Sequence, residues 1–249
     1  MPLFLLVLLL LAPAAWADTS GPRSLFTFSS EPPEGFASES EAGLALQAGN
    51  TKSNRVSLRH QDSYRWPEQT VFGQVRYLNA NAAGVTNASS WLAGARYERK
   101  LAPKTGAFVG QTVEADRFAG YFQRYSSDLG LRRTLWKSDV TKGAAELGYR
   151  YQVDNRITGE LTYNNLVRAY LEGIYYFNAK VSLVASVEGL PNVSDSANWM
   201  VNGDLGLIAE LTSILSLKST YGVRYDHVPN APGLVTTDQA FTTALLARF

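Results

Sequence analysis

The chain has 249 residues, with 23 Lys and Arg against 22 Asp and Glu, a formal net charge of +1. Charged residues make up 18%, below the roughly 25% of an ordinary soluble domain, and the near-neutral balance lacks the basic footprint of a nucleic-acid binder. There is no cysteine, and the only histidines are His60 and His227, which excludes a disulfide scaffold, thiol chemistry and a Cys- or multi-His metal site.

Residues 3–11 are Leu, Phe and Val alone, and Ala15-Trp16-Ala17 precedes Asp18. An apolar stretch ending in an A-x-A-like site reads as a signal peptide over 1–17, although Met1-Pro2 carries no Lys or Arg. The run is too short for a spanning helix, which needs about 20 apolar residues. Residues 18–40 hold Pro22, Pro32, Pro33, Gly21 and Gly35 among several serines and read as a flexible periplasmic lead-in.

From Glu41 onward the dominant pattern is period two, the signature of strands with two unlike faces. Val71, Gly73, Val75 and Tyr77 alternate with Phe72, Gln74, Arg76 and Leu78; Ala145, Leu147, Tyr149 and Tyr151 alternate with Glu146, Gly148, Arg150 and Gln152. Segmenting on this alternation predicts strands at 41–49, 54–65, 70–80, 89–100, 104–116, 123–135, 142–154, 164–177, 180–190, 197–211, 214–227 and 236–249. The prolines fall outside these segments, as ladder hydrogen bonding requires. Eleven or twelve residues tilted by ~45° reach about 25 Å, the height of a bilayer's apolar band. The expected fold is therefore an all-β transmembrane antiparallel barrel of about twelve strands over 41–249.

Connection lengths point the same way. With the N-terminus periplasmic, the even-to-odd turns (66–69, 101–103, 136–141, 178–179, 212–213) are short, and most odd-to-even connections (81–88, 117–122, 155–163, 191–196, 228–235) are longer. Outer-membrane barrels have short periplasmic turns and longer outer loops.

If the apolar set faces lipid, the ionisable set faces the lumen, because Arg or Lys at mid-bilayer costs about 2–4 kcal/mol. The expected lumen-lining charges are Arg76, Arg96, Glu98, Glu114, Asp128, Arg132, Glu146, Arg150, Arg168, Glu172, Glu188, Asp204, Lys218 and Arg224. Arg55, Arg59, Asp116, Glu210, Asp226 and Arg248 share their parity; Asp62 and Arg133 break it near the short-turn end. A soluble barrel would show the reverse arrangement. Trp66, Tyr97, Trp136, Tyr175 and Phe177 at one rim, with Tyr77, Trp91, Tyr125, Trp199 and Tyr225 at the other, read as two interfacial girdles. Tyr149 and Tyr221 fall nearer mid-strand. Gly106, Gly110, Gly130, Gly148, Gly173, Gly206 and Gly222 sit within strands, where they serve barrel curvature or leave room for an adjacent aromatic ring.

The last strand ends on Phe249, which looks like the C-terminal signal that outer-membrane barrels present to the barrel-assembly machinery. Together with Gly49-Asn50-Thr51, Glu114-Ala-Asp116-Arg-Phe118-Ala-Gly120-Tyr-Phe-Gln-Arg124, Asp128-Leu-Gly130-Leu-Arg132 and Gly143-Ala-Ala-Glu146-Leu-Gly148-Tyr-Arg150, the chain resembles the salt-induced outer membrane proteins over roughly 41–249. The resemblance implies an outer-membrane β-barrel surrounded by lipid. It transfers no catalytic or ligand-binding residues.

Catalytic candidates are few. A Ser/His mechanism needs a histidine within reach of a nucleophile. His60 shares the parity of Val56 and Leu58 and would point toward lipid. His227, beside Asp226 and within range of Ser194 or Ser196, is the better placed, with a solvent-exposed loop histidine as the plain alternative. Asp116 and Asp128 could act as paired carboxylates or simply as lumen charges. The expectation is a non-enzymatic barrel with no catalytic, metal or cofactor site and no nucleic-acid partner. Three functions stay open: a passive pore for small polar solutes or ions, a non-conducting structural or envelope-stress barrel, and a barrel hydrolase at the outer rim near His227.

Overall fold

The computed structural model describes Pro32 and residues 34–47 and 53–249. The signal peptide, most of the lead-in and the Gly49-Asn50-Thr51 hairpin lie outside the described residues. The regular elements of the described chain are all strands: β1 (Gly35–Gln47), β2 (Ser53–Arg65), β3 (Gln69–Ala82), β4 (Val85–Ala102), β5 (Thr105–Asp116), β6 (Tyr121–Lys137), β7 (Thr141–Arg156), β8 (Leu161–Tyr176), β9 (Val181–Pro191), β10 (Trp199–Glu210), β11 (Leu215–Asp226) and β12 (Thr237–Arg248). Each strand pairs antiparallel with its sequence neighbours, and β1 pairs with β12 to close the barrel. Closure removes the unpaired edges that an open sheet would expose. The seam matches Glu39–Ala42 with Leu245–Arg248 and continues through Ser38 and Phe249, which exchange backbone hydrogen bonds of 3.0 and 2.9 Å.

The alternation has the sense of a lipid-facing barrel. Leu147 is 64% exposed on the outside of β7, while its neighbour Glu146 is 4% exposed inside. Leu44, Leu58, Val75, Val109, Leu129, Leu171, Leu205 and Leu245 continue the exposed apolar belt around the ring. An apolar surface this continuous is foreign to a water-soluble monomer.

Several boundaries differ from those the alternation suggests. β1 starts at Gly35 and takes in the last six residues read as lead-in. Its outward positions there include Ser38 and Ser40, whose polarity conceals the period. The connection expected at 81–88 is instead a tight hairpin, with Ala83 (φ 51°) and Gly84 (φ 81°) as its two central residues. Positive φ at both positions matches the right-handed twist of the flanking strands. Strand pairing continues past the apolar belt through Asn79, Asn81 and Thr86, which hydrogen-bond to one another. Pro191 is the final residue of β9, opposite Trp199, rather than part of a loop. The longer connections at the loop rim are thus 192–198 and 227–236.

Aromatic rings pair at both rims: Tyr64 with Trp66 (4.4 Å) and Tyr175 with Phe177 (5.1 Å) at the short-turn end, and Trp199 with Tyr225 (4.8 Å) at the loop end. The two mid-strand tyrosines satisfy their hydroxyls on the outer wall, Tyr149 donating to Asn165 and Tyr221 to Gln239 (2.7 Å).

Candidate functional site

The interior divides into two unlike halves. Along β4–β9 the inward side chains form a continuous ionic lattice. Glu146 sits at its centre, accepting two hydrogen bonds from Arg96 (2.7 and 3.1 Å), one from Arg132 (2.6 Å) and one from Arg168 (2.5 Å). Arg168 also donates to Glu188 (2.6 Å), which accepts from Asn202 (2.9 Å) and from Arg150 (3.3 Å). Arg150 grips Asp128 with two bonds of 2.7 and 3.0 Å. Arg132 reaches on to Glu172, which also accepts the Tyr170 hydroxyl (2.9 Å), and Arg96 pairs with Glu98 (2.6 Å). Paired guanidinium forks of this kind offset much of the cost of burying charge, because each carboxylate meets its arginine through directed, charge-assisted hydrogen bonds.

One aromatic ring organises the lattice. Phe108 on β5 lies under the Arg96 guanidinium at 3.8 Å, with that of Arg168 at 5.7 Å. Gly130 on the next strand makes room for it: a Cβ there would stand 2.7 Å from the ring's Cζ. Toward the loop rim, Arg124 forms a two-bond pair with Asp154 (2.6 and 2.9 Å), lies 4.2 Å over the Tyr121 ring and has Glu114 at 3.7 Å.

The opposite side, β1–β3 with β10–β12, is more open. Glu41 accepts from Arg59 (2.7 Å) and Lys218 (2.6 Å), and Glu39 accepts from Arg248 (2.9 Å). Three cavities run from the β8–β10 wall at the short-turn rim into this side. The first, about 230 Å³, opens at the short-turn rim past Lys180, Glu210 and Arg248 and rises to Asp204, Lys218 and Thr220. The second, about 70 Å³, shares those three residues and adds Glu41, Arg55, Arg59, Arg76 and Arg224. The third, about 80 Å³, shares Arg224 and extends to Asp226, Asn230 and Leu234 under the loop rim.

A strap lies across that last cavity. The β11–β12 connection, 227–236, reaches toward the opposite wall, where the Asn230 amide donates to the Ala119 carbonyl (3.2 Å) and Leu234 packs against Gly120. The β5–β6 connection that receives it is tied in turn to the next hairpin by the Ile157 N–H to the Gly120 carbonyl (3.0 Å). Gly120 has φ +89°, and a Cβ there would come within 2.9 Å of the Asn230 Cβ, so glycine answers both the backbone and the close approach.

The sequence-derived charges therefore all lie on the inward wall, in two distinct settings. Arg96, Glu98, Asp128, Arg132, Glu146, Arg150, Arg168, Glu172 and Glu188 belong to the lattice, with Glu114 at its outer end, while Arg76, Asp204, Lys218 and Arg224 line the cavities. The rim Ser/His pairing, one of the open alternatives, is not formed by His227 and Ser194. His227 stacks on Trp199 (5.2 Å) with its Nδ1 on the Tyr225 hydroxyl (2.8 Å), and Ser194 is engaged by Asn165 (3.0 Å). Asp116 caps the Ala119 N–H (2.8 Å) and Asp128 holds Arg150, so they do not act as a carboxylate pair. His60 faces outward, as its parity indicates, beside Asp62 on the same face and Ser40, which its sequence position did not reveal.

Comparison with known proteins fits this architecture. The outer membrane channel from Pseudomonas putida F1 aligns with 88% of this chain and 97% of its own at 12% identity, with a TM-score of 0.52. The NanC porin aligns with 85% of this chain and 97% of its own at 10% identity, with a TM-score of 0.49. At such identity the likeness to the Pseudomonas channel is one of fold, a closed twelve-stranded antiparallel barrel. No curated protein matches the sequence. The family model for proteins of unknown function DUF481 matches residues 40–249, and the chain belongs to that family.

Proposed function

We propose that this protein is a narrow channel of the bacterial outer membrane, conducting small polar solutes and ions from an entrance along β8–β10 at the short-turn rim up the β1–β3/β10–β12 side of its interior. The observation that carries this reading is the run of three cavities, each sharing lining residues with the next, from the short-turn rim to the strap. The middle cavity sets the size limit: at about 70 Å³ it has room for only a few waters. Its charged lining is Arg55, Arg59, Arg76, Lys218 and Arg224 against Glu41 and Asp204, an excess of positive charge that favours anions. The export segment at 1–17 and the apolar belt support an outer-membrane location. The exposed Phe249 at the end of the closing strand supports recognition by the assembly machinery.

Conductance of the purified protein in planar bilayers tests the reading. Small unitary steps with a reversal potential displaced toward anions are expected under a salt gradient. An absence of steps above background, with the strap intact or removed, would overturn it. The second reading, a barrel whose role is structural under envelope stress, draws on the lattice and the strap, which fill one half of the lumen and cover the outer mouth.

A further inference from the structure

On the outer wall, where the belt should be apolar, three polar side chains form a hydrogen-bonded chain. The Ser40 hydroxyl lies 2.9 Å from His60 Nδ1, and His60 Nε2 lies 3.1 Å from Asp62 Oδ2. The register makes the cluster: Ser40 on β1 is directly opposite His60 on β2, and Asp62 is two residues further along the same face. A carboxylate can only accept, so Nε2 carries the ring hydrogen, and in the neutral ring Nδ1 is left to accept from the Ser40 hydroxyl. This is the connectivity of a nucleophile, its general base and the group that orients the base.

We propose that Ser40, His60 and Asp62 form a catalytic site on the lipid-facing wall that hydrolyses acyl esters of membrane phospholipids. Position supports the substrate class. The aromatic pair Tyr64 and Trp66 marks the short-turn interface, and each two-residue step along a tilted strand advances about 5 Å along the membrane normal. Asp62 is one such step inside Tyr64 and His60 is two, which sets the cluster just below headgroup depth, where glycerol esters lie. The wall is lowered there by small residues. Asp62 stands between Ser38 and Gly73, Gly73 is followed by Ala95, and Ser40 is flanked by Ala247. A Cβ at Gly73 would meet nothing within 4 Å, so an acyl chain can lie against this stretch. An ionisable residue kept on a lipid-facing surface is by default a functional one.

The chemistry balances with water as co-substrate. Ser40 Oγ attacks the ester carbonyl carbon while its proton passes to His60 Nδ1. Collapse of the tetrahedral intermediate breaks the ester C–O bond, and the imidazolium returns that proton to the departing lysophospholipid oxygen. A water then attacks the acyl-serine, again losing a proton to Nδ1, and Ser40 recovers that proton as the free fatty acid leaves. Asp62 is a positioning residue, fixing the tautomer through Nε2. The Ser38 hydroxyl, two residues from Ser40 on the same face, is the nearest side-chain donor along β1 for the oxyanion.

The full chain, reconstituted in phosphatidylethanolamine–phosphatidylglycerol vesicles, provides the test. A fluorophosphonate probe should label the peptide containing Ser40, and mass spectrometry should detect fatty acid and lysophospholipid. Ser40→Ala should abolish both signals, and His60→Ala should lower the rate at least 100-fold. Asp62→Asn, which keeps an acceptor for Nε2–H, should retain much more activity than Asp62→Ala. Heat-modified mobility on gels confirms that each variant is folded, and Ser40→Ala should leave conductance unchanged, so this site and the channel fail separately. Labelling and lipolysis equal in wild type and Ser40→Ala would overturn the proposal.

Discussion

Arg96 on β4 holds Glu146 on β7, three strands away, through two hydrogen bonds of 2.7 and 3.1 Å. The intervening wall lets the side chain pass because Phe108 lies flat there and supports the guanidinium from below. Glu146 is the common acceptor of three arginines and has a side chain 1% exposed. Replacing Glu146 with Ala leaves Arg96, Arg132 and Arg168 crowded around an uncharged centre, held only by Glu98, Glu172 and Glu188, and breaking a buried pair this way costs about 3–5 kcal/mol. Urea unfolding of protein folded into vesicles, followed by tryptophan fluorescence, should show a loss of that order. A loss below about 1 kcal/mol would mean that the lattice contributes little to stability.

Phe108 and Gly130 make a second, steric prediction. A methyl group at position 130 would stand 2.7 Å from the ring and equally close to the Leu147 carbonyl oxygen. The ring could rotate, but the backbone oxygen has little room to move. Gly130→Ala should therefore destabilise by about 1–3 kcal/mol. The companion Gly130→Ala/Phe108→Leu should recover only the part owed to the ring, and full recovery would show that the backbone contact is relaxed at no cost.

These two examples mark where sequence reasoning reaches and where it stops. Period two exposes the strands because lipid and lumen impose opposite polarity on adjacent residues, so Leu147 and Glu146 declare their faces without any structure. Which charge meets which depends on the stagger of a closed barrel, and nothing local in the sequence relates Arg96 to Glu146, fifty residues on. The outer-wall cluster was hidden for a different reason. Ser40 falls in a serine-rich stretch that reads as lead-in, so His60 had no visible nucleophile until the β1–β2 register placed the two side by side. The tight turn at Ala83 and Gly84 was masked by an Asn- and Ser-rich strand extension whose polarity resembles a loop.

The cavity side of the lumen predicts charge selectivity. Arg55, Arg59 and Arg76 line the narrow middle cavity together with Lys218 and Arg224, against Glu41 and Asp204, and an excess of cations in a confined, poorly screened space raises the local anion concentration. Arg76→Glu and Arg55→Glu should each move the reversal potential in a salt gradient toward cation preference, and the double substitution should reverse its sign. A charge swap at Lys142, on β7 outside that cavity lining, serves as the control. Equal reversal potentials for wild type and the double variant would place the ion path elsewhere.

The strap lies across the outer end of that path. Asn230 and Leu234 reach the opposite wall only because Gly120 lacks a side chain and adopts φ +89°. Gly120→Val adds both a steric block and a backbone penalty at that contact, so it should dislodge the strap without touching the lining of the middle cavity. Removing 229–234 and closing the gap with two glycines should have the same effect by another route. Both variants should raise unitary conductance severalfold while leaving ion preference unchanged, since Arg55, Arg59 and Arg76 stay in place below. If only the deletion opens the pore, the Gly120 contact is incidental and some other part of 227–236 holds the mouth closed. If neither does, the narrow middle cavity at Asp204 and Lys218 limits the current, and the strap has no part in gating.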